Sequence, residues 1–398
     1  MKRIKRVIGF NLFWLQRLAA SGFGLGAMFG KTVSDFESSQ HTPAVPSVTE
    51  RKLRALLLLR GITHNNNALG GIGERLAKEL LHLVSRSDEP RSPDPIAVWT
   101  YEKDPVQTAV DYVQRSHPFI IKGFPFEARR WTVDYFLSTF PSIEVLFTDP
   151  SGRHFEKPLS YLADATKAGE RIYLANSGRV FLEKPGILDE LNLEQIASTI
   201  GMEGPHYAHQ LFLGAYKQTG SPFHCAPNSN IFFQMEGTKK WTFVDPIFSA
   251  FLYPYLSDLN TYQASVLPLP YEEERLRNFP LYQYCPRYEA LIEPGDVLYN
   301  PRWWYHCIEN MSERTVAVAT RWDVGMKPRP RDTNRLYSAL EYTPKMWWRI
   351  TRALAAGEPF ASYELLFEIF SHDNASYERF AGAKLAWGIE EPAGVADS

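Results

Sequence analysis

Cysteine is scarce in this chain: Cys225, Cys285 and Cys307 are its three copies in 398 residues. So few and so scattered, they exclude a disulfide framework or a zinc knuckle, and they suit a reducing compartment. Charge of one sign is lacking too. A formal net charge of -2 offers none of the basic surface that nucleic acid requires, so nucleic acid is set aside as a partner. Internal repeats and low-complexity tracts are absent. The N-terminal stretch MKRIKRVIGFNLFWLQRLAASGFGLGAMFG lacks the unbroken run of about 20 apolar residues that a spanning helix needs, because Arg17 interrupts it. It has the basic start of a signal peptide, but Gln16 and Arg17 follow too soon. Two expectations remain: a helix docked on the protein itself, or one lying at a membrane surface with Trp14 and basic flanks. The expected location is cytoplasmic, membrane-associated if the second holds.

What is present is enough apolar residue, 44%, to bury a large core. Residues 50–85 place leucines three and four apart on either side of an Asn- and Gly-rich turn, which predicts two amphipathic helices. GGIGER within them has no strand before it, so it reads as a helix start and not as a phosphate loop. The three prolines of SRSDEPRSPDP predict a linker at Ser85–Pro95. From Ile96 to about Arg335 the texture changes to short alternating runs, among them FIIKGF, RIYLAN, HQLFLGAY, NIFFQME, KKWTFVDP, DVLYNP and RTVAVATRW, punctuated by Gly, Pro, Asn and Asp. That pattern predicts a mainly β fold, a barrel or double-sheet jelly roll. Helical texture returns in PKMWWRITRALAAG and SYELLFEIFSH. The division expected is 1–95 helical, 96–335 the β domain and 336–398 helical.

Within SPFHCAPNSNIFFQMEG, strand alternation turns His224 and Ala226 to one face and Cys225 to the other. His306, in PRWWYHCIENM, follows the strand-like EPGDVLYNP. Two histidines on neighbouring strands of a small barrel give imidazole ligands suited to iron, copper or zinc. Spacing alone leaves the bland alternative open, two histidines satisfied in the core.

Ser221 to Trp322 resembles the jumonji-type, cupin-fold family of iron and 2-oxoglutarate oxygenases, and within it the branch of the asparaginyl hydroxylase that inhibits the hypoxia-inducible factor. HPFIIKGF is similar to the family's opening strand and RIYLAN to its strand before the barrel. FLYPYL, EPGDVLYNPRWWYHCIEN and VAVATRW follow in order, so the likeness spans roughly 96–323. The fold that it implies is a double-stranded β-helix flanked by helices. The ligands it implies are His224 and His306 for Fe(II), with O2 as oxidant. For 2-oxoglutarate it implies Lys239 paired with the distal carboxylate, Ser221 and Tyr173 reaching the same group, Asn230 lining the pocket, and Thr320 at a polar position of the last strand. The bland alternative for Lys239, beside Lys240 after a turn, is a solvated lysine.

The family pattern of His, any residue, then Asp or Glu stands here as His224, Cys225, Ala226. A methyl group donates nothing to a metal, so two histidines and a carboxylate cannot form the site. Loss of the carboxylate removes one negative charge and one ligand, and a halide restores both. Radical halogenases of this class resemble that arrangement, so Ala226 implies a vacancy for chloride or bromide and halogenation of an unactivated C–H bond. Three alternatives stand beside it. Water fills the vacancy, and the centre hydroxylates or desaturates. Another ligand steps in, from Cys225, Cys307, His206 or His209. Or the chain is a non-catalytic binding or scaffold protein. RWWYH and FLYPYL are expected near the mouth, favouring an apolar or flat substrate: a small molecule, a carrier-bound acyl chain or a lipid. YEEERLRNF reads as a solvated charged face. Trp347, Ile350 and Leu354 mark a helix side that resembles the dimerisation helices of relatives, which implies a homodimer.

Overall fold

Leucines at helical spacing form the first two helices, α1 (Ser47–Thr63) and α2 (Ile72–Ser87). The computed structural model describes residues 47–322, except 64, 66, 88, 150–153, 203, 205, 227, 256–263, 266 and 268–271, together with 348, 351, 352, 355 and 387. Both expectations for the N-terminal 46 residues, and the dimer face with Trp347, Ile350 and Leu354, lie outside the described residues. Among the described residues, no helix is long and apolar enough to cross a membrane.

The alternating runs become strands. In chain order these are β1 (Asp94–Pro95), β2 (Ala97–Thr100), β3 (Phe119–Lys122), β4 (Glu144–Thr148), β5 (His154–Pro158), β6 (Tyr173–Ser177), β7 (His206–Gly214) and β8 (Gly220–His224). They continue with β9 (Ser229–Glu236), β10 (Lys239–Val244), β11 (Pro254–Tyr255), β12 (Ala264–Ser265), β13 (Tyr288–Ile292), β14 (Val297–Asn300), β15 (Tyr305–Asn310) and β16 (Thr315–Trp322). One sheet runs β1-β13-β10-β15-β8-β12-β11, and the other β2-β3-β14-β9-β16-β7-β6-β4-β5. Chain neighbours β8 and β9, and again β14 and β15, fall in opposite sheets. This alternation is the winding of a double-stranded β-helix, the mainly β jelly roll with helices that the sequence predicts.

Period-two alternation sorts the side chains of each strand onto two faces. The faces that meet inside the barrel bury Phe212, Phe232, Ala317 and Ala319 from the larger sheet against Trp241, Phe243, Ile292 and Ile308 from the smaller. The outer face of the smaller sheet, with Phe223, Cys225, Val244, Tyr305 and Cys307, is covered by Leu53, Leu57, Leu80 and Val84 of α1 and α2. Each such leucine removed from water contributes about 2 kcal/mol. The two helices are therefore the lid of one core layer, and Trp387 joins the same layer, its indole donating to the Pro254 carbonyl at 3.2 Å.

Three sequence expectations are corrected here. The predicted linker Ser85–Pro95 is tied into the fold: α2 extends to Ser87, Arg91 N–H donates to the Gln283 carbonyl at 2.7 Å, and β1 pairs in parallel with β13. YEEERLRNF is not wholly a solvated face, because Arg275 is fully buried and donates to Glu309 and Cys307 Sγ. The FLYPYL aromatics Phe251 and Tyr253 are packed in the layer under α1 and α2, where they can line no substrate.

Candidate functional site

β8 lies between β15 and β12, and the β8–β15 register sets His224 directly opposite His306. Their ring centroids are 4.3 Å apart. Each ring is oriented by its own strand: His224 Nδ1 donates to the Pro222 carbonyl at 2.8 Å and His306 Nδ1 to the Trp304 carbonyl at 3.0 Å. A hydrogen on Nδ1 leaves the lone pair on Nε2, so both imidazoles present the nitrogen a metal takes. Trp241 stacks on His306 with centroids 5.4 Å apart, and the Asn300 amide nitrogen lies 3.4 Å from both of its ring nitrogens. Both rings are neutral at physiological pH. Burial drives His306 well below its ordinary value, with further contributions from His224 and Arg321. Burial likewise lowers His224 to about 4; the Pro222 carbonyl opposes the shift and Arg321 adds to it. His224 is half-buried by surface area, yet enough protein surrounds it that the charged form is penalised.

The approach to His306 is tied to residue 226. Trp303, buried, takes a left-handed conformation with φ of 66°, and its N–H donates to the Ala226 carbonyl at 2.7 Å. For a bulky residue that conformation carries a cost of about 1–3 kcal/mol, which the surrounding contacts must hold in place. The backbone of residue 226 thus pins the segment that delivers one ligand, while its side chain supplies a methyl group. Among the described residues, no cluster of three or more His, Cys, Asp or Glu could hold a metal ion. Cys225 and Cys307 belong to the outer layer under α1 and α2, so strand alternation turns both thiols away from the ring pair. His206 and His209 are likewise elsewhere. His209 bonds His206 at 3.2 Å and Thr320 Oγ1 at 3.1 Å, and burial, aided by His206, lowers it to about 4.

Lys239 is on the same inward face of β10 as Trp241, level with Asn310, whereas His306 is level with Phe243. Four residues separate the two levels, about 13 Å along a strand. The lysine is fully buried and bonded only to neutral oxygens among the described residues: it donates to Asn310 Oδ1, and to Tyr173 Oη and Thr315 Oγ1 at 3.4 Å each. Asn310 is itself oriented by donating to Thr219 Oγ1 at 2.8 Å. Without a carboxylate partner, burial lowers the ammonium to about 7 and pushes the Tyr173 phenol well above its ordinary range. Trp241 Nε1, buried between the lysine and histidine levels, has no acceptor among the described residues.

The remaining expected residues divide. Ser221 sits opposite Ile308, on the inward face between the two levels, and is half-buried. Asn230 is buried opposite both Asn300 and Arg321, its Oδ1 without a donor among the described residues. Thr320 does not join them. It shares the outward face of β16 with Val316 and Val318, and its hydroxyl is engaged by His209. The hydroxyl of β16 that reaches Lys239 is Thr315, and the inward polar side chain at its far end is Arg321. Sequence reasoning missed both, along with Asn310, Trp241, Asn300 and Gln210. The parity of VAVATRW, with Ala317 and Ala319 small and inward, was the signal that selects Arg321 over Thr320.

A family model described as a cupin-like domain matches residues 105–326. Among curated proteins, the chain is 31% identical over 100 residues to HSPB1-associated protein 1 of Rattus norvegicus, covering 22% of this chain and 18% of the relative. It is 26% identical over 165 residues to the HSPB1-associated protein 1 homolog of Danio rerio, covering 38% and 33%. To Jumonji C domain-containing protein 5 of Drosophila melanogaster it is 25% identical over 161 residues, covering 40% and 39%. The chain thus spans well under half the length of these relatives.

Proposed function

Since the chain belongs to the cupin-like domain family, matched over more than half its length and shared with JmjC proteins, we propose that it is an Fe(II) and 2-oxoglutarate dependent enzyme acting on an unactivated C–H bond, with a halide where the family's carboxylate would be. The observation carrying this reading is the pair of neutral, Nδ1-anchored imidazoles beside a residue that has only a methyl group. His224 and His306 would hold the metal. Lys239, Tyr173 and Thr315 would receive the distal carboxylate of 2-oxoglutarate, a dianion that supplies the charge the buried ammonium lacks. Trp241 Nε1, without an acceptor among the described residues, would donate to it. Bound iron with 2-oxoglutarate and O2 supplies the oxidising power to remove a hydrogen atom from the substrate. The chain's own part is to orient the imidazoles, exclude bulk water through Trp241, Phe243 and Ile308, and leave one corner of the centre to an exogenous anion at Ala226. Chloride or bromide there restores both the charge and the ligand that Asp or Glu would give.

The half-exposure of His224 and Ala226 favours a second reading, in which water takes that corner and the product is hydroxylated or desaturated. The two separate in one experiment. Under anaerobic conditions, Fe(II) and 2-oxoglutarate should give a visible charge-transfer band that shifts with chloride or bromide, and Ala226→Asp should abolish the halide shift while keeping the band. A band indifferent to halide selects the second reading. Neither band nor metal uptake would leave a non-catalytic binding protein of the cupin-like family. The substrate follows as a proposal: a small molecule, or a carrier-bound or lipid-like chain if the N-terminal residues meet a membrane.

A further inference from the structure

Arg321 is not used in the proposed chemistry, and its surroundings are unusual for an arginine. It closes the inward face of β16, in register with Asn230 of β9 on one side and Ala208 of β7 on the other. Asn230 is in turn opposite Asn300, whose amide touches His306. The guanidinium is therefore at the histidine end of the barrel, the opposite end of β16 from Thr315 and Lys239. It is half-buried, and its Nε donates to Gln210 Oε1 at 2.8 Å. Among the described residues it makes no ion pair, and no acceptor is bonded to either Nη. Among the described residues, Oδ1 of Asn230, in register with it, and Oδ1 of Asn300, one strand further on, are buried without a donor. A planar fork held by one nitrogen, with its other two unused, matches a carboxylate in a bidentate pair. The two orphan oxygens match a hydroxyl or amine on the same molecule.

We infer that Arg321, oriented by Gln210, is a second anion subsite at the metal end of the barrel, and that it holds the carboxylate of a substrate acid carrying a neighbouring hydroxyl or amine, recognised by Asn230 and Asn300. This deepens the oxygenase reading and rests on it for the anion being substrate; the existence of the subsite does not. It replaces a flat apolar substrate with a polar acid, in keeping with Phe251 and Tyr253 being packed away from the site.

The test uses metal-free protein, so that failure to take up iron, which would sink the oxygenase reading, leaves it intact. In Lys239→Met protein, where the other anion site is gone, a 2-hydroxy acid series from lactate to 2-hydroxyoctanoate is titrated by tryptophan fluorescence. Binding should be present, and about tenfold or more weaker when Arg321→Gln is added, the loss expected of a bidentate charged pair. Arg321→Lys, which keeps the charge but not the fork, should recover part of it, and circular dichroism confirms that each variant is folded. With Lys239 intact, Arg321→Gln should leave 2-oxoglutarate binding within threefold. Two results overturn the inference: equal loss of 2-oxoglutarate, which would make the anion the co-substrate's, or unchanged hydroxy acid binding, which would leave Arg321 a solvated residue.

Discussion

Replacing Lys239 with methionine is expected to stabilise the protein at neutral pH while removing its affinity for 2-oxoglutarate, two effects of opposite sign from one side chain. The ammonium is fully buried among neutral oxygens, and burial lowers it from 10.5 to about 7. Between those values the unfolded chain binds the proton and the folded one releases it. Stability therefore rises with pH across the window from about 7 to 10.5, at a slope of up to about 1.4 kcal/mol per pH unit. At and below pH 7 the folded state bears most of that penalty, on the order of 4 kcal/mol. Methionine removes it but leaves Asn310 Oδ1 without its donor, at about 1–3 kcal/mol, so the net gain is about 2 kcal/mol, or about 2 °C in Tm for a chain of 398 residues. The pH-dependent rise between 7 and 10 should flatten in the variant. In the native protein, a dianion arriving at Lys239 favours the charged form, so 2-oxoglutarate binding near pH 8.5 should take up a proton, read by calorimetry in buffers of different ionisation enthalpy. A variant less stable at every pH, with the native slope, would show that Lys239 is paired in some other way.

Gly220→Ala should do the reverse, unseating the site by destabilising the fold. Gly220 opens β8 with φ of 148°, and a Cβ built there lies 2.0 Å from the Ile308 carbonyl oxygen and 2.9 Å from its carbon. These are backbone atoms of β15, which cannot yield as the tip of a side chain can. The β8–β15 ladder is already irregular between His306 and Ile308, so relief by sliding would carry His224 out of line with His306. The expected loss is about 3 kcal/mol or more, measured by denaturant unfolding, together with loss of metal uptake by whatever fraction remains folded. Ser221→Ala, one residue away and half-buried, serves as the control and should change stability by less than about 1 kcal/mol. An alanine variant as stable as the native chain would mean that the strands part at this point without harm.

Much of the candidate site was legible in the sequence. Alternation in HQLFLGAY, NIFFQME and RTVAVATRW determined that these were strands and which side chains shared a face. That same parity set His224 apart from Cys225, and His306 apart from Cys307. It also made the missing carboxylate at Ala226 visible, since a change of chemical type at one position needs no folding to detect. Less was decided for residues whose role depends on a partner far along the chain. Thr315 and Asn310 reach Lys239 because β10, β15 and β16 are brought together, and no local pattern marks either. Thr320 and Arg321 are neighbours in sequence, and only the register of β16 turns one out to His209 and the other in toward the histidine pair. Arg275 looked like part of a solvated charged run until packing placed Cys307 and Glu309 against it. The sequence by itself determined the period of each segment and the chemistry that each side chain can offer. The tertiary structure alone decided which of those chemistries meet, because a one-residue shift in register reverses every face while leaving the composition untouched.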